Sequence, residues 1–188
     1  MDSQSAFAAR YLAKVQGVLQ AISTDDVASA LEILREALDS GRSVFLAGNG
    51  GSAATASHMA NDLMKTIAKK SGKGMRVIAL SDNVPLLTAI ANDEDFKEVF
   101  AGQLMALASK GDVFIVISGS GNSQNIVRAL EEAKKMELKT IGFLGMDGGK
   151  AKDMLDCSIV VPSDDYGPIE DAHIVLNHLI TEYLRELP

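Results

Sequence analysis

Apolar residues recur at helical spacing through the start of the chain. Phe7, Ala8, Tyr11, Leu12, Val15, Val18, Leu19 and Ile22 fall on one stripe when wound at about 3.6 residues per turn. Ser23-Thr24-Asp25-Asp26 reads as the cap of a second helix, with Val27, Leu31, Leu34 and Leu38 inward and Gly41 as its stop. From residue 43 the pattern changes to short runs at 43–47, 75–80, 112–117, 140–144 and 157–161, apolar on successive positions. Strands covered on both faces have that signature. Helical spacing returns between them, at 53–67, 96–107, 126–136 and 169–184. Strand and helix in alternation predict a parallel sheet flanked by helices. The expectation is one α/β domain over residues 1–188, with 1–41 as a helical extension. The extension's stripes need cover, and a second copy of the chain supplies it, so a homo-oligomer is expected.

Composition narrows the function. Among 188 residues, 25 Asp and Glu outweigh 18 Lys and Arg, for a formal charge of −7. That balance argues against nucleic-acid binding, which draws its affinity from cations on phosphates. It leaves room for a small anion held by backbone amides. No apolar run approaches the ~18 residues of a membrane span, and Met1-Asp2-Ser3-Gln4 lacks the basic start of a signal peptide. Cys157 is the single cysteine, which excludes an intramolecular disulfide framework and a cysteine-rich zinc site. A cytoplasmic enzyme or binding domain is expected, without membrane or direct nucleic-acid contact.

Two loops carry the chemistry. Gly48-Asn49-Gly50-Gly51-Ser52 stands between the first strand and a helix. Its glycines permit a tight turn with several amides facing a ligand, and the helix start adds partial positive charge. The spacing fits neither a dinucleotide fingerprint, since Ala53 takes the third glycine's place and no acidic residue ends a following strand, nor a Walker loop. Ser118-Gly119-Ser120-Gly121-Asn122-Ser123 follows another buried strand and precedes another helix. Serine hydroxyls and helix-start amides at the carboxyl end of a strand suit phosphate oxygens.

Together these loops resemble the sugar isomerase (SIS) domain, and within it the phosphoheptose isomerases. The likeness continues through Ser81-Asp82, Ala91-Asn92-Asp93, Asp147-Gly148-Gly149-Lys150 and Ile169-Glu170-Asp171-Ala172-His173, in order along nearly the whole chain. The resemblance implies a three-layer α/β/α sandwich with a five-stranded parallel, flavodoxin-like sheet. It implies a homotetramer with active sites between subunits, and conversion of sedoheptulose 7-phosphate to glycero-manno-heptose 7-phosphate through an enediol. It places the phosphate at Ser118, Gly119, Ser120 and Ser123 with Ser52 nearby, and the sugar among Asn49, Gly50, Gly51, Asn92 and Asp93. It gives the acid–base roles to Asp62 and His178. Some members hold zinc at the positions of His58, Asp62, Glu170 and His178.

Two positions depart from the family pattern. Asp62 stands where the family has glutamate, one methylene shorter, and Glu170 where it has glutamine, adding a charge. An extra carboxylate strengthens a cation site and, with no cation bound, repels a developing enediolate. His58 and Asp62, at i and i+4, share a helix face. Glu170 and His178 lie roughly 12 Å apart along a continuous helix, and so meet on one ion only if Glu170 precedes the helix or a second subunit contributes. Pro168 suggests a start near Ile169, and His173 is read as a capping or supporting residue. Two other readings stay open: a non-catalytic SIS adaptor, which one relative sharing Ala89-Ile90-Ala91-Asn92-Asp93 exemplifies by binding a replication-initiator protein, and a sugar-phosphate sensor. An adaptor or a sensor has no need of the acid–base set.

Overall fold

The computed structural model describes residues 3–68 and 74–187. Five strands, β1 (Ser43–Gly48), β2 (Arg76–Ala79), β3 (Val113–Ser118), β4 (Lys139–Gly145) and β5 (Cys157–Val161), form one sheet in the order β2-β1-β3-β4-β5. All four pairings are parallel. The period-2 geometry of a strand explains why the runs are apolar throughout. Val44 and Leu46 enter one core and Phe45 and Ala47 the other.

Helices α1 (Gln4–Gln20), α2 (Thr24–Asp39), α3 (Gly51–Asn61) and α7 (Tyr166–Glu186) lie on the Val44 side, with Leu34, Met59, Ile169 and Ile180 buried or nearly so beneath them. The opposite face is covered by α5 (Ala101–Leu107) and α6 (Gln124–Lys135), through Leu104, Ile126 and Leu130. Between them α4 (Val84–Asp93) contributes Leu87 and Ile90. The expected three-layer α/β/α sandwich is therefore the fold.

Several elements differ from the reading of the sequence, two of them in ways that matter for the site, and the helix expected over 96–107 is a 3₁₀ turn, Phe96–Glu98, followed by α5. The helix expected over 53–67 is α3 followed by a π-helical turn, Asp62–Thr66. α7 begins at Tyr166 rather than Ile169, because the Asp165 side chain accepts from the Gly167 amide at 3.3 Å and Pro168 fits the first turn. α4 was not foreseen; Asn83 caps it by accepting from Leu86 N, and Pro85 occupies its first turn. The stripe of α1 is only half used within one chain. Val18, Leu19 and Ile22 pack on the core, while Phe7 and Leu12 stay exposed.

Candidate active site

The strand order reverses between β1 and β3, and the crevice beyond their carboxyl ends is where open α/β sheets take ligands. Both glycine loops open there. Gly50 adopts φ +54, as the turn into α3 requires, and Gly121 adopts φ +62 in the loop into α6. Neither helix is capped by a side chain at its start, which leaves the amides at the very start of each for a ligand, whereas the Ala53 amide of α3 is already taken by the carbonyls of Asn49 and Gly50. A pocket of about 150 Å³ lies between the loops, lined among others by Asn49, Ser52, Ser118, Ser120, Ser123 and Glu170.

The loops are held by their own hydrogen bonds. Gly121 N donates to Ser118 Oγ at 3.1 Å and Asn122 N to Ser120 Oγ at 3.3 Å, so these hydroxyls shape the second loop as well as line it. The turn at Asp147-Gly148-Gly149-Lys150 braces it from behind, with Lys150 N donating to Asn122 Oδ1 and Ala151 N to Gly121 O. Asn49 and Asn125 exchange two amide hydrogen bonds of 2.9 Å, tying the first loop to the start of α6. Asn125 is buried and sequence reasoning missed it, because an asparagine just inside a helix usually signals only a cap. Tyr166 was missed as well; its ring lies against Gly119, where a Cβ would stand 2.8 Å from Cε1.

Glu170 reaches the start of α3. Both its carboxylate oxygens lie 2.8 Å from where a Cβ on Gly51 would stand, so the charge sits at the positive end of that helix. It also lies inside α7, so the possibility that it precedes the helix does not hold. In one chain Glu170 and His178 are thus separated by roughly 12 Å along the axis.

Farther along the same helices, three predicted residues meet. His58 Nε2 lies 3.2 Å from Asp62 Oδ2, His178 Nε2 lies 3.4 Å from His58 Nε2, and His178 Nε2 stands 4.0 Å from Asp62 Oδ2. The carboxylate is the sheltered member, its side chain 13 % exposed against 44 % for His58 and 54 % for His178. Asn177 Nδ2 donates to Asp62 Oδ2 at 3.0 Å, and Asn61 Nδ2 to Asp62 Oδ1 at 3.3 Å. The π-helical turn starts at Asp62, a backbone irregularity of the kind that gathers at functional sites.

Two ring nitrogens and a carboxylate oxygen are a donor set for a divalent ion. Ligands about 2.0–2.1 Å from a tetrahedral ion stand roughly 3.3 Å from one another, close to two of the three separations here. The trio therefore fits a cation, with further positions left for substrate. Glu170 is outside this group. Asn92 and Asp93 stand exposed on the last turn of α4, Asn92 Nδ2 donating to Asp93 Oδ1, and they do not line the pocket between the loops.

His173 is not a ligand but a core residue. It is fully buried, donates from Nε2 to Leu144 O at 3.3 Å, and desolvation pushes its pKa down to about 4. Cys157 is buried too, its thiol pushed up to about 11 by desolvation and by Asp26 and Asp156, as befits a packed rather than a reactive group.

The SIS domain family pattern matches residues 10–145. A phosphoheptose isomerase of a Nitratiruptor species is 49 % identical over 151 residues, 80 % of either chain. One of Aliarcobacter butzleri is 41 % identical over 183 residues, 96 % of either chain. The solved phosphoheptose isomerase GmhA from Neisseria gonorrhoeae superposes with a TM-score of 0.91 at 30 % identity, over 98 % of this chain and 100 % of that one. With that family pattern over most of the chain and such relatives covering four fifths of it or more, the chain belongs to the SIS-domain family and, within it, to the phosphoheptose isomerases.

Proposed function

We propose that the chain interconverts sedoheptulose 7-phosphate and glycero-manno-heptose 7-phosphate. The observation that carries this reading is the convergence of His58, Asp62 and His178, which neither an adaptor nor a sensor requires. Ketose–aldose isomerisation moves one proton between neighbouring carbons and adjusts the protons on their oxygens. The Asp62 carboxylate takes the carbon-bound proton, and His178 Nε2 hands a proton between the two oxygens. Ser118, Ser120, Ser123 and Ser52, with the first-turn amides of α3 and α6, grip the phosphate dianion. Asn49, Gly50 and Gly51 line the way to the sugar. A Zn²⁺ ion would be held by His58, Asp62 and His178, taking the place of the proton on His178 Nε2, and when bound it would supply polarisation of the substrate carbonyl instead of that proton transfer.

The site is completed between copies in this reading. Within one chain the loops and the trio lie at different levels of α3 and α7. An exposed stripe, Val175, Leu179 and Tyr183, runs at i, i+4, i+8 beside His178, and Phe7 and Leu12 are exposed on α1. Covering these faces in a homotetramer brings the loops of one copy, with Glu170, toward the trio of another. Asn92 and Asp93, exposed on α4, then contribute to the sugar site across such an interface.

A steady-state assay of heptulose phosphate conversion tests the proposal, with Asp62→Ala and His178→Ala each expected to lose about 10²- to 10⁴-fold in kcat. Full activity in both variants would overturn the roles. Mixing an Asp62→Ala chain with a Ser120→Tyr chain tests the shared site. Recovered activity supports it, and none in verified hybrids contradicts it.

A further inference from the structure

Asn177 is hard to explain as a packing residue. It lies on the inward face of α7, between Leu176 and Ile180, and is fully buried. Its Nδ2 donates to Asp62 Oδ2 at 3.0 Å, while its Oδ1 is buried with no hydrogen-bond partner. A leucine there would fill similar space without stranding an amide oxygen. Buried unpaired polar atoms are uncommon enough in native proteins that each calls for a reason. The amide's single bond goes to the one carboxylate that meets both histidines, and to the same oxygen that faces them.

We infer that Asn177 is a positioning residue that holds the shortened carboxylate of Asp62 in working geometry; the inference rests on the isomerase reading above. The aspartate reaches one methylene less far than the glutamate of the family pattern, leaving its carboxylate back toward the packed interface of α3 and α7. There an apolar neighbour would offer it no donor. Asn177 supplies that donor, fixes the rotation of the carboxylate, and so aims Oδ2 between His58 and His178. Asp62 and Asn177 thus form a matched pair: a longer acid in place of Asp62 would push into the Asn177 amide, and a donorless residue in place of Asn177 would free Oδ2, leaving Asp62 tethered only through Oδ1 to Asn61 Nδ2.

A double-mutant cycle tests this, with Asp62→Glu, Asn177→Leu and the combined variant. In Asn177→Leu, kcat is expected to fall about 10- to 100-fold, as for partners that orient a working ligand. KM should be unchanged, because the phosphate loops lie elsewhere, and the melting temperature should be unchanged or higher. Affinity for Zn²⁺ alone, from competition with a chromophoric chelator, should fall in parallel. Asp62→Glu alone is also expected to lose activity, and the double variant to recover most of it. A merely structural role would lower the melting temperature and leave kcat per folded enzyme and Zn²⁺ affinity as they are. That outcome, or losses that simply multiply in the double variant, overturns the inference. Should Asn177→Leu fail to fold, Asn177→Ala enters the same cycle. A wild-type chain without isomerase activity would instead overturn the functional reading, so the two failures remain distinct.

Discussion

Two glycine-to-alanine substitutions, one in each loop, separate backbone strain from steric displacement. Gly50 and Gly121 have similar left-handed torsions, φ +54 and φ +62. Placing an alanine in that region costs roughly 1–2 kcal/mol. A Cβ on Gly50 meets nothing within 4 Å, so Gly50→Ala should carry that cost alone. A Cβ on Gly121 would stand 1.9 Å from the carbonyl oxygen of Gly148. That oxygen belongs to backbone tied to the loop through Ala151 N–Gly121 O at 3.0 Å and Lys150 N–Asn122 Oδ1 at 3.1 Å, so it yields little. Reaching a contact of 3.0 Å, below which real Cβ atoms are essentially not found, takes a movement of 3.0 − 1.9 ≈ 1 Å. Overpacking of this kind adds roughly 1–3 kcal/mol. Gly121→Ala should therefore cost about 2–5 kcal/mol in urea unfolding, against about 1–2 for Gly50→Ala. The displaced loop carries Ser118 and Ser120, and losing a hydrogen bond to a charged group is worth about 10- to 100-fold in affinity. Binding of inorganic phosphate, followed by calorimetry, should weaken by about that factor in Gly121→Ala. Equal unfolding costs for the two variants, or undiminished phosphate binding by Gly121→Ala, would refute the reasoning.

Other predictions concern single groups. His173 is neutral when folded and its pKa lies near 4 against an ordinary 6.5, so below pH 6.5 the unfolded chain binds a proton that the folded one does not. Stability should fall as pH drops from 6.5 toward 4, by up to about 1.4 kcal/mol per pH unit, and His173→Gln should flatten melting temperatures over that window. The carboxyl of Glu132, held low chiefly by the hydrogen bond from Arg128, loses its contribution only at lower pH, through the carboxylate range. Ser123→Ala removes a hydroxyl not engaged in capping α6 and should raise KM by about 10- to 100-fold, as the loss of a hydrogen bond to a charged group does, with little change in kcat. Glu170→Gln takes a negative charge from the lining of the pocket between the two loops and should tighten inorganic phosphate binding several-fold at low salt, an effect that fades as ionic strength rises.

Much of this arrangement was legible in the chain. The central strands, buried on both faces, announce themselves by unbroken apolar runs, while the edge strands β2 and β5 keep one face partly open, and both glycine-rich loops fall between strand and helix as the sequence placed them. The helical spacing of His58 and Asp62 put them on one face, and the family likeness joined them to His178. What stayed hidden depends on tertiary partners. The start of α7 at Tyr166 turned on a weak aspartate cap, and it decided that Glu170 and His178 cannot meet within one chain. Asn177 carries no motif or spacing that marks it, and only packing reveals that it is fully buried against Asp62. The Asn49–Asn125 pair joins residues far apart in sequence. α4 has no buried residue within one chain, so its apolar positions did not yield a clean inward face.

A crystal structure of the assembled protein with sedoheptulose 7-phosphate bound bears most directly on the account. The phosphorus should lie among Ser118, Ser120 and Ser123, with C-1 and C-2 of the same molecule within hydrogen-bonding reach of an Asp62 carboxylate and a His178 imidazole, from the same or a neighbouring copy. A phosphate bound by the histidines, or a sugar whose C-1 and C-2 approach no Asp62 in the assembly, would contradict it.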